Sequence, residues 1–246
     1  MIRLSVNVNK VAVVRNSRGG TIPGVLDAVE VCLKAGAKGI TVHPRADQRH
    51  ITPTDVREIA NYLGPLREQV EFNIEGDPRP DWLDLVREVR PHQATLVPVR
   101  PGERTSEAGW STETDAEKMK VQVRELRKLG IRVSLFVAAE ENAINWAREM
   151  GADRVELYTG PFAEAYSRGR QEGADSFARF VACAELAHRV GLGINAGHDL
   201  DLENLELFRR LPYLDEVSIG HAIISRAIFQ GLAKVVGDYL NLLSKK

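Results

Sequence analysis

Short apolar runs recur along this chain, each entered from a glycine that closes a helical pattern: KAGAKGITVH, KLGIRVSLFV, EMGADRVELYT and RVGLGINAG. Glycine supplies the left-handed backbone that ends a helix, and the β-branched residues after it read as a buried strand. Each phrase is therefore the joint between a helix and the next strand of a repeating unit. With LSVNV (4–8), VEFNIE (70–75), QATLVP (93–98) and DEVSIG (215–220), the pattern predicts about eight strands. Amphipathic segments fall between them, among them 24–35, 54–63, 114–129, 139–150, 174–190 and 221–243. Parallel crossover units in this number favour a closed (β/α)8 barrel, an α/β fold of the TIM type, over an open doubly wound sheet. No strand is followed by the G-x-G-x-x-G turn that an open dinucleotide-binding sheet would carry.

Within the strands the alternation has a second consequence. In GITVH, Ile40 and Val42 oppose Thr41 and His43; in FNIE, Phe72 and Ile74 oppose Asn73 and Glu75. One face packs against helices and the other carries chemistry. RVELYT carries Glu156, and INAGH runs out to His198. Proton-handling groups at the carboxyl ends of separate parallel strands mark the catalytic rim of a barrel, so the chain reads as an enzyme. Two connections, 98–113 and 159–173, exceed a usual βα loop and are predicted to be lids over that rim.

At 246 residues the chain has the length of one barrel domain, spanning 1–246. A formal charge of -1 offers no basic excess for nucleic acid or a membrane surface, so an anionic substrate must be held by local cations. Cys32 and Cys183 lie in helical segments without metal or redox spacing and read as reduced thiols. The start, MIRLSVNV, enters a strand directly, and no apolar stretch has membrane-span length; a soluble, cytoplasmic protein is expected.

Local cations are available. VNVNKVAVVRNSRGG places Asn7, Asn9 and Lys10 at the rim, then Arg15 and Arg18 beside a glycine pair that suits a phosphate. HPRADQRHIT gathers His43, Arg45, Arg49 and His50 in one loop. INAGHD and SIGHAII follow the seventh and eighth strands, where glycine and a helix amino terminus commonly bind phosphate in barrels. Buried at the barrel mouth, Glu75 and Glu156 should become usable bases near neutrality. His92 and His188 read as ordinary surface histidines. No H-x-H pair, carboxylate cluster or cysteine set suggests a metal, and only Lys10 comes near a Schiff-base position. A phosphosugar isomerase or aldolase, and a silent barrel that merely binds a phosphorylated ligand, remain open as alternatives. The retained set His43, Glu75 and His198 argues against the silent barrel, since binding phosphate needs no general base.

Taken in order, VNVNKVAVVRNSRGG, GITVHPRADQRHIT, FNIEG, TLVPVRPGERTSEAG, VSLFV, VELYTGPFA, INAGHDL and SIGHAIISRAI resemble the pyridoxine 5'-phosphate synthase family nearly end to end. The resemblance implies condensation of 3-amino-2-oxopropyl phosphate with 1-deoxy-D-xylulose 5-phosphate, without a metal or organic cofactor, in a homo-oligomer that is an octamer built from dimers. It makes His43 and Glu75 general bases, His198 a general acid and Glu156 a stabiliser of charged intermediates. It puts Arg45, His50 and Thr105 on the sugar phosphate, and Asn7, Arg18, Gly220 and His221 on the amino ketone phosphate. The sequence departs from the family at Asn9-Lys10, where many members have Asp-His in contact with the sugar phosphate, and at Asp199, where some have glycine and a backbone N–H contact would survive.

Overall fold

The computed structural model describes residues 2–100, 102, 103, 105, 106 and 108–245. Strands β1 (Arg3–Asn7), β2 (Gly39–Val42), β3 (Glu71–Gly76), β4 (Gln93–Leu96), β5 (Arg132–Val137), β6 (Arg154–Tyr158), β7 (Gly193–His198) and β8 (Leu214–Ile219) close in sequence order. Every neighbouring pair is parallel, and β8 returns to β1 with Arg3 opposite Glu216 and Val6 opposite Ile219. The predicted barrel is the observed one.

Around it run α1 (Asn9–Asn16), α2 (Val25–Lys34), α3 (Pro53–Leu63), α4 (Pro80–Val89), α5 (Ala116–Lys128), α6 (Glu141–Glu149), α7 (Gly160–Arg168), α8 (Arg170–Arg189), α9 (Leu205–Phe208), α10 (His221–Gln230) and α11 (Leu232–Ser244). Leu4, Val6, Ile40, Val42, Ile74, Leu135, Val155 and Ile219 pack outward against these helices and are at most 1% exposed. Some helix starts are chemically specified. Thr52 and Asp55 form a reciprocal capping box at α3, with Pro53 in the first helical position. Asp115 caps α5 through a bond from the Lys118 N–H.

The inward face is largely polar, with Phe136 of β5 as an apolar exception. Ser5 and Thr41 hydroxyls meet at 2.7 Å, Thr95 donates to Asn73 at 3.0 Å, and Asn195 of β7 reaches across to Gln93 of β4 at 3.5 Å. Toward the amino-terminal end Arg3 and Arg132 both pair with Glu71, and Arg3 reaches Glu216 at 3.3 Å. A barrel interior is usually filled by branched apolar side chains. Here hydrogen bonds and ion pairs between neighbouring and facing strands fill much of it, while Ser134 Oγ and Glu156 Oε2 are buried without a partner among the described residues.

Three expectations need correction. The segment 159–173 is no lid: α7 begins at Gly160 with Pro161 in its first turn and passes almost directly into α8. Phe162 is fully buried, its ring 5.0 Å from Phe208 and 6.0 Å from Phe180, so apolar burial converts the connection into packed helix. The segment 221–243 is two helices, divided at Gly231, whose φ of 82° only glycine adopts readily. His92 is not an ordinary surface residue: Nδ1 accepts the Phe72 N–H at 3.0 Å, and Nε2 lies 2.8 Å from the Arg67 carbonyl. His188 does lie at the surface, stacked on Tyr213 with ring centroids 3.7 Å apart. Cys32 and Cys183 are both free and buried, and burial pushes their thiols up to about 12 and about 11. Among the described residues no helix is long and apolar enough to cross a membrane.

Candidate active site

The carboxyl ends of the strands open into one cavity of about 490 Å³, within the range of small-molecule sites. Asn7, Asn9, Lys10, His43, Arg45, His50, Glu75, Thr105, Glu156, His198, Asp199, Gly220 and His221 all line it. Of the expected site residues only Arg18 is absent from the lining; it is exposed beyond the end of α1. Arg15 is engaged elsewhere, paired with Asp55 and donating to the His50 carbonyl at 3.2 Å, so it ties α1 to the β2–α3 loop.

His43 and Glu75 leave adjacent strands and meet on the axis side, with Nδ1 3.8 Å from Oε2. Asn7 donates to the same Oε2 at 3.4 Å, and Ser218 of β8 donates to Oε1 at 3.4 Å. Asn9 turns inward from the first turn of α1 and its Oδ1 accepts the His43 N–H at 2.9 Å. Its amide therefore fixes the backbone at the end of β2.

Burial governs the electrostatics. Desolvation pushes the Glu75 carboxyl up to about 8, with the Glu216 charge adding to it against the Ser218 hydrogen bond. Desolvation likewise drives Glu156 well above the ordinary carboxylate range, with Glu75 and Glu216 as like charges. His43 is held well below the usual imidazole value by burial, then by His50, Arg45 and Arg79. His50 falls to about 4 from burial, with Arg45 and Lys10 as neighbouring cations. Burial thus favours the neutral form of both carboxyls and of both imidazoles.

Three atoms of this lining, His43 Nε2, Arg45 Nε and Glu156 Oε2, are buried with no hydrogen-bond partner among the described residues. Buried polar atoms are nearly always satisfied, so three on one cavity mark where a polar ligand belongs. Gly197 makes room for the other oxygen of the Glu156 carboxylate: a Cβ there would overlap Oε1. At Gly220 a Cβ would stand 3.0 Å from the Asn7 carbonyl oxygen. On the far side His198 Nε2 lies 2.7 Å from the Thr105 hydroxyl and Nδ1 lies 2.7 Å from Asp199 Oδ2. Thr105 belongs to the 98–113 connection, of which Pro101, Arg104 and Glu107 lie outside the described residues. Its near end is tied to Arg49, which donates to the Glu103 carbonyl at 2.9 Å. Its far end is tied by Trp110, whose indole donates to the Leu96 carbonyl at 2.8 Å.

Sequence reasoning missed the lining residues Ser218, Phe136 and Ser106. The strand alternation that selected Asn73 and Glu75 also selects Ser218, two residues before Gly220 on the inward face of β8. Among the described residues no group of three or more His, Cys, Asp or Glu could hold a metal ion.

Solved structures share the fold. Phosphoribosyl anthranilate isomerase from Thermotoga maritima superposes with a TM-score of 0.63 at 15% identity, covering 99% of this chain and 98% of that one. Thiamine phosphate pyrophosphorylase from Pyrococcus furiosus gives 0.62 at 14% identity, covering 98% and 95%. Sequence relatives are nearer. A pyridoxine 5'-phosphate synthase from Leptospira biflexa is 47% identical over 254 residues, 99% of this chain and 98% of its own. One from Bacteroides fragilis is 48% identical over 244 residues, 99% and 100% of the two chains. The model of the family described as pyridoxal phosphate biosynthesis protein PdxJ matches residues 4–245. With that match over nearly its whole length, and relatives near half identity that align end to end, the chain belongs to the PdxJ family.

Proposed function

We propose that this protein is a pyridoxine 5'-phosphate synthase, joining 3-amino-2-oxopropyl phosphate to 1-deoxy-D-xylulose 5-phosphate with release of phosphate and water. The observation that carries the reading is the convergence of unpartnered buried atoms from His43, Arg45 and Glu156 on one cavity rimmed by cations.

Joining an amine to a ketone, dehydrating, expelling phosphate and closing a ring needs proton transfers at several atoms, which one acid–base pair could not reach. Here His43 and Glu75 act as bases from one wall and His198 as acid from the opposite one. Neutral His43 is ready to accept a proton. Glu75, with its carboxyl at about 8, lies close enough to neutrality to take or return one. An ammonium group entering beside it stabilises its carboxylate form. Glu156, below them on β6, becomes a stabilising anion when positive charge develops on the intermediate. Arg45, His50 and Thr105 hold the sugar phosphate, with Lys10 supplying a cation where relatives of the family use imidazole. Asn9 acts through the His43 backbone rather than on the ligand. Asn7, Gly220 and His221 hold the amino ketone phosphate at the amino terminus of α10. Asp199 adds a backbone N–H contact. Arg18 joins them only if the segment after α1 turns inward.

The protein works as a homo-oligomer in the cytoplasm. Ile22, Ile228 and Phe229 are 84%, 71% and 88% exposed, and exposed apolar groups of this size favour burial against a second copy. Incubation of the purified protein with both substrates tests the activity. Pyridoxine 5'-phosphate and free phosphate should appear by absorbance and mass; absence of both, with folded protein, removes the reading.

A further inference from the structure

We propose that Asp199 is a positioning residue for the proton donor: its carboxylate holds His198 with Nδ1 protonated, so that Nε2 delivers the proton into the cavity. The inference rests on the synthase reading for its kinetic consequence, but the geometry stands without it.

A carboxylate can only accept, so the 2.7 Å contact with Asp199 Oδ2 requires a proton on His198 Nδ1. That leaves Nε2 as the nitrogen that gains and loses the working proton. Nε2 lies 2.7 Å from the Thr105 hydroxyl, which also lines the cavity. An imidazole oriented by a carboxylate on one nitrogen and acting through the other is a recurrent solution for proton transfer.

The support for Asp199 is itself organised. Its carbonyl accepts the Asn204 side-chain amide at 3.0 Å, and Asn204 is buried and exchanges bonds with Asp201. His198 adopts a φ of 105°, a left-handed conformation that residues other than glycine rarely take. Such strain persists only where surrounding contacts impose it. Contacts on the imidazole are the Asp199 bond on Nδ1, the Thr105 hydroxyl at Nε2 and the Tyr158 ring, edge-on at 5.4 Å and 80°. The groups that set the field at this imidazole are Asp199 beside it, Glu156 and Tyr158 from β6, Thr105 from the β4–α5 connection and His221 from α10. Asp199 is the one pointed at a ring nitrogen with a full negative charge. Its carboxylate is 45% exposed toward the mouth, so its effect belongs at the modest end for such pairs.

In the step itself, the His198 Nε2–H bond breaks as an O–H bond forms on the departing group. The ring returns to the neutral Nδ1–H tautomer on Asp199, and Nε2 regains from solvent a proton equal to the one that the bases release there. No other reactant is needed.

The test uses full-length protein and the substitutions Asp199→Asn and Asp199→Glu. Nitrogen-15 NMR of the ligand-free wild type should show the neutral His198 as the Nδ1–H tautomer, and Asp199→Asn should lower its titration midpoint. In turnover, Asp199→Asn should reduce kcat by about tenfold, leave KM for both substrates within about twofold, and move the alkaline limb of the kcat profile to lower pH. Asp199→Glu should restore part of kcat. An unchanged His198 titration in Asp199→Asn overturns the inference whether or not product is made. So does a rise in KM for the amino ketone phosphate with kcat preserved, which would make the carboxylate a ligand contact. A wild type that shows the expected NMR but makes no product defeats the synthase reading instead.

Discussion

His43 Nδ1 stands 3.8 Å from Glu75 Oε2, and neither group reached that distance through its own strand alone. Asn9 holds the His43 backbone from α1, while Asn7 and Ser218 grip the two carboxylate oxygens from β1 and β8. Two proton carriers are thus fixed side by side by two further strands and a helix. Burial pushes them in opposite directions, the carboxyl up and the imidazole down, so that it favours the neutral form of each.

Glu75→Gln keeps the shape and one accepting oxygen for the Asn7 amide, with the Ser218 hydroxyl turned to accept from the new NH2, but cannot exchange a proton. Turnover should fall by about 100-fold or more, with circular dichroism unchanged. Turnover near that of the wild type would remove Glu75 from the acid–base machinery.

The same residue makes the ligand-free protein sensitive to alkali. Glu75 is pushed up to about 8 and Glu216 to about 7, so between about 4.3 and those values the unfolded chain has released protons that the folded chain keeps. Stability from these groups is therefore full at low pH and is lost as pH rises. His43 and His50 are shifted downward and act in the opposite sense, but their contribution is complete above about 6.5. From pH 6.5 to 8.5 the carboxyls govern, and stability should decline. Glu75→Gln should recover about 1–2 kcal/mol of that decline in urea unfolding. Equal pH slopes in the two proteins would show that Glu75 titrates without a raised pKa.

Asn9→Ala removes the acceptor for a buried N–H. The loss should be about 1–3 kcal/mol of stability, together with a fall in kcat as His43 loosens. If stability drops while kcat is retained, the amide serves the fold and does not place the base.

At Gly197 the space beside the backbone is occupied by Glu156 Oε1. Gly197→Ala should therefore displace that carboxylate and cost about 1–3 kcal/mol. In a Glu156→Ala background most of this penalty should vanish, because the two positions share one volume. Additive effects in the double-mutant cycle would show that the strain lies elsewhere.

Gly220→Val places branched bulk against Asn7 and the start of α10. Calorimetry with each ligand alone should show weaker binding of the amino ketone phosphate before any loss of the sugar phosphate. Loss of the sugar phosphate alone would mean that the two phosphate sites are exchanged.

What the sequence determined is local and periodic. Glycine-closed helices followed by β-branched runs specify βα units, and strict alternation in GITVH and FNIE separates the helix-facing side from the side bearing Thr41, His43, Asn73 and Glu75. Because βα repetition brings strand ends to one rim, His43, Glu75, Glu156 and His198 could be assigned to a common mouth before any coordinates. The tertiary structure decided what depends on neighbours distant in the chain. Arg15 looks like a phosphate ligand in VVRNSRGG, yet Asp55, 40 residues later, takes its charge. The stretch after Thr159 reads as a long loop until Phe208 and Phe180 bury Phe162. The bond that His198 donates to the Asp199 carboxylate accompanies a left-handed turn at His198, which the triplet Gly-His-Asp does not announce. The raised Glu75 carboxyl likewise requires the barrel to close, since desolvation at its centre is a property of eight strands together and of no single one.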